Sequence, residues 1–133
     1  MFNFFKRKQS AEEKSEMLYT MGMTFIENGY WDEAFNSITN AAEMGHRGAI
    51  GQLAMMYVFG QGCEKNTQKG IDLLYKSVEL GNIYSCFAFS VLFDHGINEI
   101  TPSTAENMCR KAADAGLPEA IDRLKHGFDK RRT

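Results

Sequence analysis

Apolar residues recur along this chain at spacings of three and four, the period of a helix with one buried stripe. The first stripe, Leu18, Met21 and Phe25, lies in a helix expected from Ala11 to Asn28, where Asn28-Gly29 stops it. A second helix is expected over WDEAFNSITNAAEMG, with Ala34, Ile38 and Ala41 on one face and Gly45 closing it. Ile50, Leu53 and Tyr57 then copy the first stripe up to Gly60-Gln61-Gly62, and Gly70, Leu74 and Ser77 copy the second face up to Gly81. In a third copy Cys86, Phe89 and Phe93 run to His95-Gly96; after Pro102 come Ala105, Cys109 and Ala112, closed by Gly116. A last helix begins near Pro118, a favoured early helix position, and carries Ile121, Leu124 and Phe128.

The closing glycines Gly45, Gly81 and Gly116 lie 36 and then 35 residues apart. A helix pair of that length cannot bury its apolar face alone, so copies must stack. The expected fold is therefore all-α: an α-α superhelix, or solenoid, of three helix-turn-helix repeats plus a C-terminal capping helix, forming a right-handed arc. Residues 11–128 would form one repeat domain, with units at about 15–45, 46–81 and 82–116 and the capping helix at 118–128. Residues 1–10 read as a flexible basic and aromatic lead-in whose Phe2, Phe4 and Phe5 fold back onto the first helix pair; residues 129–133 read as a basic tail. The residue after each middle stripe position is small (Gly22, Ala54, Ser90), which lets paired helices approach closely. Lys125 takes that place in the last helix, which has no partner after it.

The stretch MGMTFIENGYWDEAF resembles the tetratricopeptide pattern: a small residue, an aromatic three on, then Gly-Tyr and Glu-Ala. Phe25 and Ala34 are nine apart, the tetratricopeptide spacing, whereas Tyr57 and Gly70 are thirteen apart and Phe93 and Ala105 twelve. These longer loops, with LAMMYVFGQG, KSVELG and KAADAG, resemble the Sel-1-like variant of the repeat. The resemblance covers about residues 15–128 and departs at FDHGINEI, which lacks the second loop glycine, and at Gly70, where alanine is usual. Gly70 is expected to weaken its helix by about 1 kcal/mol relative to alanine.

Composition and charge narrow the function. At 44% hydrophobic and 24% charged the composition is that expected of a soluble globular protein, and no apolar run approaches the roughly 20 residues of a membrane helix. The stretch MFNFFKRKQS, with charge after its aromatics and no long apolar region, is not expected to act as a secretory signal. The net charge of −2 conceals an acidic body: residues 9–122 hold seven basic and sixteen acidic side chains, while Lys6, Arg7 and Lys8 and a basic C-terminus flank them. That distribution argues against a nucleic-acid groove. The basic ends read as solvated termini, with contact to anionic lipid as the sharper alternative. Three cysteines without CxxC spacing argue against a disulfide framework and for a reducing, cytoplasmic setting.

Little in the sequence carries chemistry. His46, His95 and His126 lie near helix ends with no partner at a metal-ligand spacing. Cys86 and Cys109 take core positions, and Cys63 in GQGCEK has only Lys65 nearby to activate it. The glycines of GQG follow a helix and lack GK[ST], so they make a turn rather than a phosphate cradle. Hydrolase activity is disfavoured because no nucleophile, base and orienter converge. No catalytic residue, metal or cofactor is expected.

Carrying the repeat family's groove positions over gives Tyr19, Met23 and Ile26 from the first unit, Met55, Val58 and Phe59 from the second, and Tyr84, Phe87, Val91, Asp94 and His95 from the third. Nine of these eleven are apolar or aromatic, the chemistry of a contact surface. The expected function is a non-enzymatic protein–protein interaction module that binds an apolar or amphipathic segment of a partner in a concave groove, with Phe59, Tyr84 and Phe87 as anchors. A second copy of the chain could use the same face. The resemblance implies a bacterial adaptor. The alternative is an immunity protein whose acidic surface blocks a cognate toxin.

Overall fold

The structure is a computed structural model that describes residues 9–128; the expected tail at 129–133 and all of the lead-in except Gln9 and Ser10 lie outside it. The described residues form seven helices: α1 Ala11–Glu27, α2 Trp31–Glu43, α3 Arg47–Phe59, α4 Thr67–Glu79, α5 Ile83–Asp94, α6 Pro102–Asp114 and α7 Pro118–His126. They fall into two compact units that divide between Leu73 and Leu74, inside α4.

In the first unit, Ala34, Ile38 and Ala41 of α2 meet Ala49, Leu53 and Met56 of α3 in a closed core, with Leu18, Tyr19, Met23, Phe25 and Ile26 of α1 packed against it. Small residues set these approaches. An added Cβ at Gly22 would lie 2.5 Å from Ile38 Cδ1, so the glycine lets α1 settle on α2. Gly60 ends α3 in the left-handed conformation, and Gly62, at φ 71°, presses against the carbonyl of Trp31. A side chain at Gly62 would collide with that backbone, so the glycine loop is a turn that also docks onto the start of α2. Asn66 then caps α4 by accepting the Lys69 N–H at 3.1 Å.

The second unit has its own core of Leu74, Phe89, Leu92, Phe93, Ile100, Cys109 and Ala112. Buried serines are paired rather than stranded: Ser85 Oγ donates to Ser77 Oγ at 2.8 Å, and the Asn82 amide donates to the same oxygen at 3.1 Å. Asn82 also caps α5 through the Tyr84 N–H, while Thr101 caps α6 ahead of Pro102.

Two stripe positions differ from expectation. Met21 is exposed while Gly22 is buried, so the inward line of α1 runs through Ser15, Leu18, Gly22 and Phe25. Ile121 of α7 is exposed as well, its inward places taken by Leu117, Ala120 and Leu124. Both residues belong to terminal helices, where the apolar spacing fixes a face only to within one residue. Helix α7 stops at His126, and Phe128 lies beyond it against Phe93.

Candidate partner-binding surface

The clearest uncovered apolar stripe runs along α5. Tyr84 is 67% exposed, and Phe87 and Val91 follow at half-buried positions. Steps of three and four keep all three on one helix face. The opposite face, Cys86, Phe89, Ser90 and Phe93, is buried, so α5 carries apolar residues on both sides but buries only one. Asp94 and His95 end the stripe. Asp94 accepts both terminal nitrogens of Arg123 at 2.5 Å in a fork-to-fork pair, and Arg123 in turn stacks over the Phe128 ring at 4.6 Å. His95 bonds the Val91 carbonyl through Nδ1 at 2.8 Å and thereby covers the C-terminus of α5. The groove pattern did not include Arg123, because it comes from α7 and not from a repeat's first helix; its contact with Asp94 places it at the end of the candidate stripe.

Within the first unit the expected positions differ in availability. Phe59 is 38% exposed at the end of α3, with Met55 half-buried one turn earlier. Val58 is fully buried. It packs over Gly70, so it serves the α3–α4 contact and is closed to a partner. Tyr19, Met23 and Ile26 are half-buried against the core.

Tyr19 belongs to a polar cluster that sequence reasoning did not join. Its ring stacks on His46 at 4.5 Å with an interplanar angle of 22°. His46 caps α3, Nδ1 accepting the Ala49 N–H at 3.1 Å, which leaves Nε2 to donate to the Glu16 carboxylate at 2.6 Å. Burial, and then the Glu16 charge, push the Tyr19 phenol above its ordinary value. Both ring nitrogens of His46 are committed, so it has no lone pair to offer a substrate. The signal in sequence was a histidine in register with the capping Asn82, directly after a closing glycine.

Burial pushes all three thiols upward, with Lys69 opposing at Cys63, Lys111 at Cys86 and Arg123 at Cys109. Among the described residues no three His, Cys, Asp or Glu side chains gather as metal ligands, and no helix is long and apolar enough to cross a membrane.

No protein-family model matches this sequence, and no curated protein matches it. Solved structures do. A protective antigen of uropathogenic Escherichia coli displaying an SLR fold superposes with a TM-score of 0.71 at 22% identity, over 90% of this chain and 27% of that one. A Sel1 repeat protein from Oxalobacter formigenes gives a TM-score of 0.62 at 19% identity, over 92% of this chain and 54% of that one. This chain therefore spans about a quarter to a half of those neighbours. With seven helices among the described residues and these two superpositions, the chain has the fold of Sel1-like repeat proteins.

Proposed function

We propose that this chain is a non-catalytic protein-interaction module, and that the first helices of its repeats bind an apolar or amphipathic segment of a partner protein. The observation that carries this reading is the α5 stripe, where Tyr84, Phe87 and Val91 line one face and Tyr84 stands two-thirds in water. Tyrosine and phenylalanine are enriched among residues that anchor protein contacts, since each offers large area at small entropic cost. Phe59 and Met55 offer the same chemistry on α3. Repeat folds serve many functions, so the argument rests on these side chains and not on the fold. Raised thiols and a fully committed His46 support a binding role over a catalytic one.

The test is affinity capture from the native lysate with quantitative mass spectrometry, comparing wild type with Tyr84→Ala/Val91→Ser at low and high salt. The expected result is one or a few proteins retained by wild type at both salt concentrations and lost with the variant, whose circular dichroism is unchanged. Equal capture by both proteins would overturn the reading. Capture that disappears in high salt irrespective of the variant would favour the acidic surface, and with it a toxin-blocking role.

A further inference from the structure

The apolar stripe on α5 has a charged neighbour in the same unit. Tyr84, Phe87, Val91 and Asp94 follow one another at steps of three and four, so Asp94 continues the uncovered face. Asp94 holds Arg123 of α7 in the fork-to-fork pair, and Phe93 meets Phe128 just past the end of that helix. Helix α6 packs on both α5 and α7 and joins them through connections of seven and three residues. Short connections make successive helices antiparallel, so α5 and α7 run in one direction.

The side of α7 that Arg123 turns toward α5 is mostly acidic. Glu119 lies one turn before Arg123 and His126 one turn after it, at steps of four and three. Asp122 stands beside them, its carboxylate 3.5 Å from His126 Nδ1. Both Glu119 and Asp122 are exposed. Lys125 follows Arg123 by two residues, a rotation of about 200° around the helix, and so belongs to another side. Asp94 already matches the charge of Arg123, which leaves the two carboxylates as a surplus. The two helices therefore set an apolar face and an anionic face next to each other.

We infer that these two faces together bind a basic amphipathic helix of the partner. Its apolar side lies on Tyr84, Phe87 and Val91, and its lysine or arginine side chains lie over Glu119 and Asp122. The inference rests on the interaction surface proposed above and names its occupant. Tyr84 to Val91 spans about 10 Å, two helical turns, which is the repeat at which a docked helix places its apolar anchors. An extended segment would need a sheet edge to extend, and the described residues contain no strand. The wider charge agrees in sign: residues 9–122 hold seven basic and sixteen acidic side chains, a field that draws cationic segments toward the chain.

Fluorescence anisotropy with the full chain tests this, using three labelled peptides about 18 residues long, enough to form a helix. All three carry leucine at the same amphipathic spacing, and their polar faces are filled with lysine, glutamine or glutamate. Wild type should bind the lysine peptide about tenfold more tightly than the glutamate peptide, since exposed ion pairs contribute at most about fivefold each, with glutamine between. Tyr84→Ala/Val91→Ser should lose all three. Glu119→Lys/Asp122→Lys changes only exposed side chains and should abolish or invert the preference. Glu64→Lys/Asp72→Lys makes an equal charge change at exposed positions of the first unit and should keep it. Equal affinity for the three peptides, still lost in Tyr84→Ala/Val91→Ser, would overturn the basic helix and leave the α5 surface standing. A lysine preference that survives Glu119→Lys/Asp122→Lys would belong to the acidic body at large and would overturn the inference as well. So would binding of none of the peptides, a result that would also count against the α5 surface itself.

Discussion

An added Cβ at Gly70 would meet Val58 Cγ2 at 2.5 Å and the Ala54 carbonyl oxygen at 2.6 Å. Intrinsic propensity alone favours alanine inside a helix by about 1 kcal/mol, which made Gly70 look like a small defect in sequence. The packing reverses that sign. A valine methyl can rotate away, but the Ala54 oxygen belongs to the backbone of α3 and cannot yield without moving that helix. Forcing a methyl into a filled core costs about 1–3 kcal/mol, so the steric term outweighs the propensity gain. Gly70→Ala should therefore lower the midpoint of urea unfolding at unchanged slope. A raised midpoint would show that α3 and α4 can separate freely, and would restore the propensity argument. The same contact explains why Val58 could not be recognised as core from its position: its burial is created by an atom missing on the opposite helix.

At the scale of the element, most boundaries were legible because they are written in local chemistry. Positive-φ glycines close α2, α3, α4 and α6 where the pattern placed them, and Pro102 and Pro118 open α6 and α7. What local pattern could not supply was the side of a terminal helix that faces inward, hence Met21 and Ile121 in water. Nor could it supply the side-chain links between elements distant in sequence, such as Arg123 with Asp94. The start of α3 combines both kinds of information. His46 caps it and, thirty residues from Glu16, binds the flank of α1 with its other nitrogen. His46→Ala should lose the cap, worth about 1 kcal/mol, together with the Glu16 link and the Tyr19 stack. His46→Asn should keep the cap and lose the rest. Thermal melting should thus rank wild type above asparagine and asparagine above alanine. Equal melting of the two variants would show that the cap contributes nothing and that the α1 contact carries the whole effect.

For the molecule as a whole, the expected all-α repeat architecture holds, and the chain divides into two compact units within α4, each with buried residues of its own. Ile38 is fully buried in the first unit and Phe89 in the second. Proteins built from repeats draw stability from each unit and from nearest-neighbour terms, so a cavity should loosen the helices around it first. Leu, Ile or Met to Ala in a core costs about 2–5 kcal/mol and Phe to Ala about 3–5, enough to dominate local opening in either unit. Phe89→Ala should accelerate amide exchange in α5, α6 and α7 more than in α1 and α2, and Ile38→Ala should give the opposite order. The half of α4 that follows each core, Thr67–Leu73 with the first and Leu74–Glu79 with the second, should respond to its own variant more strongly than to the other. Uniform acceleration along the whole chain by either substitution would mean that only global unfolding exposes these amides. The proposed binding surface would then be held by one cooperative structure, and any partner affinity of Tyr84 on α5 would fall whenever the first core is weakened. If the two orders differ as expected, Ile38→Ala leaves the α5 stripe intact, and the partner capture proposed for Tyr84 should persist while α1 and α2 loosen.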